Sequence, residues 1–407
     1  MTTPRLMYAV TAPISALIFL EGQLRAAREA GFDVHVLCGS DPSGRLSRRC
    51  AEEGATLHEV EVTRTPSLRS DARAFLQVAA ALRRVRPQIM VAGTPKMSLL
   101  ALACGSVLRV PHRIYLCHGL RFEGASGLRR TGLTRLELLL SCLAHHVVAV
   151  SPSVAQGLRT AGAPDGRVTV LGSGSPNGVD LEHFQPPSSA DRASARDELG
   201  LRPEGRVLAF VGRLTGDKGL STLVALATAL GNSDEPETGR GWLLVVGEPE
   251  PHSARDQADM AALLANPRVV FAGHQDDMRV PYKAADVLVL PTRREGLPTV
   301  VIEAAAMQIP TVAYRATGTV DAVMDGETGL LVTQGDVPAF VAAAHLLVSN
   351  ERLRDQLGIQ ARERVERDFS RPLVWRQWTE YLRTLVAHAP PVASRRADGH
   401  PHQGCTS

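Results

Sequence analysis

The sequence predicts two doubly wound α/β domains in series, and three observations carry that expectation. Short β-rich apolar runs alternate with helix-period segments from the first residues, the alternation pauses once at a linker-like stretch, and it then restarts and runs to about Val386. Strands alternating with helices imply parallel βαβ units with helices on both faces of each sheet.

In the front part the strand-like runs are RLMYAV, DVHVL, QIMVA, HRIYLC and HVVAV. Helices are expected over Leu17–Ala30, as a polar segment after DVHVL, and over Met97–Leu108. The pause is SGSPNGVDLEHFQPPSSADRAS, whose Gly, Pro, Ser and Asn content is that of a linker. After Arg206 come RVLAFVG, a helix from Asp217, WLLVVG, a helix near Ala254–Leu264, RVVFAG, Pro281–Ala285, VLVLP, a helix from Pro298, TVAY, GLLV and a last helical run. The expected units are 1–187 with the linker, 188–389 with the C-terminal helices, and a disordered tail over 390–407, which lacks apolar periodicity.

With 407 residues and 44% apolar composition the chain can bury two cores. Net charge is only +3, which argues against a general nucleic-acid binder. Residues 1–187 carry 21 Lys and Arg against 14 Asp and Glu, and the remainder is net negative, so the front half is the better partner for an anionic surface. The cysteines at 38, 50, 104, 117, 142 and 405 form no CxxC pair and no zinc spacing, and are expected to be reduced and mostly buried. The N-terminus lacks the pattern of a signal peptide, and no window offers 18 uncharged apolar residues. A cytoplasmic protein, at most peripheral to a membrane, is expected.

Ligands of such folds bind outside the carboxyl ends of the strands, so the loops after the runs matter most. RVLAFVG leads into RLTGDKGL, which puts Arg213 and Lys218 at a glycine-punctuated turn able to present cationic donors to phosphate oxygens. It is not a Walker loop, because GxxxxGK[ST] is absent. In REGLPTVVIE, Pro298 suits the first turn of a helix whose exposed N–H groups would face an anion. Glu303 would then lie about 7.5 Å along the axis from Pro298, with Glu295 on the loop ahead. A nucleotide sugar has the matching layout: a charged middle and two hydroxyl-bearing ends. A surface Arg and Lys and an ordinary helix glutamate would leave the same local pattern.

Taken together, FVGRLTGDKGL, DDMRVPYKAADVLVLPTRREGLPTVVIEAAAMQIPTVAY and GTVDAVMDGETGLLV resemble the C-terminal half of retaining glycosyltransferases of the GT-B fold, family 4 type, over about 205–335. The front half, with YAVTAPISALIFLEGQLRAAREAGFDVHVL, is similar, more weakly, to the capsule and exopolysaccharide branch. The resemblance implies two Rossmann-like domains facing a central cleft. It implies that Arg213 and Lys218 hold the donor diphosphate, Glu303 binds the ribose hydroxyls, Glu295 touches the transferred sugar, and Gly273, His274 and Gln275 meet the base. Gly296, Leu297, Pro298 and Thr299 belong to the same donor site. It further implies a UDP-sugar donor, a retaining hexosyl transfer, no cofactor and no metal; no DxD-type box stands at a matching loop.

On the front side the resemblance places Thr11, Pro13, His118, Gly119 and Arg121 toward the acceptor, with His118 a polar contact or base. The family's glycine pair in the first βα loop is replaced here by TAPISALI. Arg129, Arg130 and Arg135 in GLRRTGLTRLELLL are candidates for docking on an anionic membrane bearing a polyprenyl-linked or glycolipid acceptor. His145, His146, Trp375 and Trp378 read as packing. The rival activities are natural-product glycosylation, including antibiotic or phosphoglycolipid assembly, a nucleotide-sugar epimerase, and a non-catalytic subunit. A dehydrogenase is disfavoured, since no GxGxxG follows the first strand.

Overall fold

The computed structural model describes residues 3–62, 68–164, 166–202, 205–231, 241–250 and 252–388. The expected tail and Cys405 lie outside the described residues. The front sheet holds β1 (Arg5–Val10), β2 (Asp33–Gly39), β3 (Thr56–Val60), β4 (Ile89–Ala92), β5 (His112–Cys117), β6 (His146–Ala149) and β7 (Val168–Thr169), in the order β3-β2-β1-β4-β5-β6-β7. The rear sheet holds β8 (Val207–Val211), β9 (Trp242–Val246), β10 (Val269–Gly273), β11 (Val287–Leu290), β12 (Thr311–Tyr314) and β13 (Gly329–Val332), in the order β10-β9-β8-β11-β12-β13. Pairs such as Leu6 with Ile89 and Val287 with Leu208 are parallel, so the chain is doubly wound twice, as expected.

Parallel strands covered on both faces read as unbroken apolar runs. In β4, β8, β11 and β12 every residue is buried. The two strands that the sequence reading did not anticipate lie at the margins of the front sheet. In β3 only Val60 is buried, and β7 has two residues, so neither shows a run.

The helix expected over Leu17–Ala30 is two helices, Pro13–Phe19 and Gln23–Glu29. Gly22 separates them with φ +71°, and a Cβ there would lie 2.4 Å from the indole of Trp375. The break therefore answers to a residue more than 350 positions away. The turn expected to open a helix at Asp217 is a short 3-10 segment, Gly216–Lys218, and the α-helix begins at Leu220.

The last helix, Arg371–Ala387, turns its buried face to the front sheet rather than the rear one. Trp378, Leu382 and Leu385 join Leu6, Tyr8 and Leu24 in one core. The Trp378 indole N–H donates to the Tyr8 hydroxyl at 2.7 Å, and burial pushes that phenol's pKa up. The chain crosses between the lobes twice, side by side. Val179 N–H donates to Phe369 O at 2.8 Å, and Arg371 N–H to Val179 O at 2.9 Å.

Candidate functional site

In each sheet the strand order reverses beside the first strand, between β1 and β4 in front and between β8 and β11 behind. The crevices outside those carboxyl ends are where such folds take ligands. The loops after β5, β8 and β11 meet there. His118 and Gly119 follow β5, Arg213 and Lys218 follow β8, and Glu295 to Pro298 follow β11.

Lys218 Nζ lies 2.5 Å from Glu295 Oε1, with the two side chains only 15% and 17% exposed. Arg213 is more open and pairs with Glu250 at 2.9 Å. Asp217 ties the two rear loops together: it accepts from the Thr215 hydroxyl at 2.5 Å and from Arg294 at 3.1 Å, and its backbone O accepts from Arg293 N–H at 2.9 Å. Burial alone would raise its carboxyl, but those donors and Lys218 hold it below the usual carboxylate range.

Arg213, Lys218, Glu295, Gly296, Leu297, Pro298 and Thr299 line one cavity of about 250 Å³, and His118 closes it from the front lobe. Glu303 lines the adjoining cavity of about 630 Å³, which shares Phe19, Pro176 and Thr299 with the first. The two spaces are compartments of one interlobe cleft. Glu303 accepts from the Tyr282 hydroxyl at 2.8 Å. Burial raises its carboxyl even though that bond and nearby Arg371 oppose the shift. Pro298 is the N-cap residue rather than the first helical one; the helix, Thr299–Ala306, starts one residue later than expected and has no acid in its first turn. The helix's leading N–H groups thus open onto the shared wall.

His118 stacks on Phe19 with ring centroids 4.5 Å apart, and burial pushes its pKa down to about 4, so its imidazole is neutral near pH 7. The lobes touch beside it. A Cβ on Gly296 would lie 1.9 Å from His118 O, and the Ser151 hydroxyl donates to Gly296 O at 2.8 Å. Ser153 N–H donates to Asp321 at 3.0 Å, Gly318 N–H donates to the Ser153 hydroxyl at 2.7 Å, and the Thr317 hydroxyl donates to Glu123 at 2.9 Å.

Other expected residues stand outside both cavities. Thr11 receives a bond from Met97 N–H and shares one with the Thr94 hydroxyl at 2.8 Å, while Pro13 starts a helix; their neighbours Ile14, Leu17 and Ile18 face the cleft instead. Arg121 is an exposed residue of a 3-10 turn. Gly273 ends β10, His274 pairs with Asp276 in solvent, and Gln275 donates back to Ala272 O at 2.7 Å. Of that segment Asp276 and Met278 reach the larger cavity. Arg129, Arg130 and Arg135 are exposed on the helix Gly127–Leu143, beside Leu128 at 92% exposure. No helix among the described residues is long and apolar enough to cross a membrane.

Sequence reasoning missed Phe19, Tyr282 and the Ser151/Ser153 seam. Tyr282 alone left a signal: a tyrosine beside the apolar run AADVLVL needs a partner for its hydroxyl if it is buried.

Residues 191–364 match the family described as Glycosyl transferases group 1, and residues 18–174 match the Glycosyl transferase 4-like domain. The chain is 31% identical over 391 residues to the capsular polysaccharide biosynthesis glycosyltransferase CapM of Staphylococcus aureus, covering 95% of this chain and 98% of that protein. It is 30% identical over 232 residues, 56% of this chain and 53% of the relative, to the D-inositol 3-phosphate glycosyltransferase of Corynebacterium glutamicum (strain R). Among solved structures, Anabaena HepE in complex with UDP-glucose superposes with TM-score 0.77 at 19% identity, covering 93% of this chain and 99% of that one. Sucrose-phosphate synthase from Thermosynechococcus elongatus gives 0.78 at 23% identity, covering 95% and 100%. The likeness to both solved structures is one of fold.

Proposed function

The chain belongs to the group 1 glycosyltransferases on the GT-B fold, and from that premise we propose that it moves a hexose from a UDP-sugar to a hydroxyl of a lipid-linked saccharide, with retained anomeric configuration. The observation that carries the reading is the convergence of Arg213, Lys218 and Glu295 on one cavity, with Glu303 in the adjoining compartment and neutral His118 opposite. The capsular relative favours a cell-surface polysaccharide product, and the solved HepE complexes with UDP and UDP-glucose favour the donor.

In this reading the bond from the anomeric carbon to the diphosphate oxygen breaks while the acceptor oxygen bonds to the same face of that carbon. The acceptor's proton passes to the departing phosphate oxygen. Lys218, Arg213 and the helix start at Thr299 stabilise the charge growing on the leaving group. Glu295 holds Lys218 in place until the sugar arrives and then contacts its hydroxyls. Glu303 accepts from the ribose, positioned by Tyr282. The leaving group is carried by side chains rather than by a metal, so EDTA is expected to leave the rate unchanged. The helix Gly127–Leu143 would meet the membrane through Leu128, Arg129, Arg130 and Arg135. Unchanged flotation on anionic liposomes after Arg129, Arg130 and Arg135 are changed to Glu rejects that contact.

A screen of UDP- and GDP-sugars for saturable hydrolysis and thermal stabilisation tests the donor. Stabilisation by a UDP-sugar that is lost in Lys218→Ala is the expected result, and indifference of the wild type to every nucleotide sugar overturns the reading.

A further inference from the structure

The front wall of the larger cavity has chemistry that the donor does not use. It is built from two helices in contact, Pro13–Phe19 and Arg45–Glu53. Ile14 and Ile18, one turn apart, face the cavity at 49% and 56% exposure. Beside them Arg45 and Arg48 line the same wall, both exposed, and neither has an ion-pair partner among the described residues. The acids nearby are already engaged. Arg49 pairs with Glu21 at 3.1 Å and with Glu53 at 3.6 Å, and reaches Glu52 at 4.0 Å; Arg371 holds the other oxygen of Glu21 at 2.8 Å. Asp41, the acid closest in sequence to Arg45, accepts from Leu46 N–H at 2.7 Å and from Ser43.

The two arginines stand at the end of the helix where its dipole does not favour cations. They occupy the first and fourth positions of Arg45–Glu53, whose first turn holds no acid. The positive end of a helix dipole favours anions and disfavours cations. Arg45 lies near enough to Asp41 for its charge to lower that carboxyl, so the positive end is partly offset, while Arg48 stays exposed on the cavity wall with no ion-pair partner among the described residues. A phosphate by itself has no use for Ile14 and Ile18, while a hydrocarbon by itself has no use for the arginines.

We propose that this wall seats the acceptor's lipid phosphate: an anionic phosphate or diphosphate on Arg45 and Arg48, and the first carbons of its chain over Ile14 and Ile18. The saccharide then points toward His118 and the smaller cavity. This assignment rests on the glycosyl-transfer reading and adds to it a location and a head-group chemistry for the acceptor.

The test uses the full chain saturated with UDP and titrated calorimetrically with farnesyl diphosphate, inorganic pyrophosphate and farnesol. Farnesyl diphosphate is expected to bind most tightly. Arg45→Gln/Arg48→Gln should weaken it at least about tenfold and leave UDP affinity unchanged, because charge-assisted bonds to phosphate are lost. Ile14→Ser/Ile18→Ser, an exposed change that spares the core, should weaken farnesyl diphosphate and leave pyrophosphate unaffected. Farnesyl diphosphate binding that ignores the arginine change overturns the site. Pyrophosphate binding as tight as farnesyl diphosphate shows a free-phosphate site and overturns the lipid assignment. Loss of UDP binding in the arginine variant returns these residues to the donor and likewise overturns it. Failure of the wild type to bind UDP would instead sink the glycosyl-transfer reading itself, so the two failures are distinguishable.

Discussion

The rear lobe is self-sufficient and the front lobe is not. Behind, β8, β11 and β12 are wholly buried, and Arg213, Lys218, Glu295 and Glu303 stand on loops and a helix of that lobe alone. In front, one face of the sheet is completed by Trp378, Leu382 and Leu385 from the end of the chain. On the proposed function, the donor groups would all belong to one lobe, and the placement of an acceptor would depend on how the two lobes meet.

Breaking the clasp should have the largest effect. Trp378→Ala removes a buried indole and the bond to Tyr8, and is expected to cost about 3–5 kcal/mol. Urea unfolding followed by circular dichroism should then resolve an early front-lobe transition; a single displaced transition would show that the lobes unfold as one unit. Next, Lys218→Ala is expected to lower turnover by about 10²–10³ with an unchanged thermal midpoint. Wild-type-like turnover would remove the donor-site assignment and with it the functional half of the contrast.

Ser153→Ala acts on the seam. It deletes the hydroxyl that Gly318 N–H donates to and that meets Asp321, weakening the closed arrangement by about 1 kcal/mol. A larger radius of gyration in small-angle scattering is the expected signature, and no change would mean that the lobes stay shut without it.

The smallest effect is on pH dependence. The His118 pKa is about 4 in the fold against 6.5 for the free side chain, so between those values the unfolded chain binds more protons and stability falls as pH drops. His118→Asn should flatten that slope by about one proton, with His145 and His146 still contributing because both are also held at about 4. An unaltered slope would show that His118 is not desolvated as the geometry implies.

The unequal legibility of the two lobes has the same origin. All six rear strands are visible as apolar runs; β8, β11 and β12 are covered on both faces and need no polar residue in their register, while the edge strand β10 is apolar although only half-buried. Arg213, Lys218 and Glu295 are legible because strand-end loops of a doubly wound sheet face one crevice. The edge strand β3 and the two-residue β7 carry no such run. Thr11 was a plausible cleft residue by position, yet its hydroxyl is used to fasten Thr94 and Met97, and the side chains one turn on face the space.

By itself, then, the sequence determined two parallel sheets, the order of their strands' appearance, and which rear loops share one crevice, because burial patterns and strand-end loops are local. Only the tertiary structure decided that Glu303 opens on a second compartment, that Gly22 must break the first helix, and that the chain's last helix belongs to the front core. Those outcomes depend on which distant surfaces come within a few ångströms, as Trp375 does at Gly22 and His118 does at Gly296, and no local periodicity encodes such an approach.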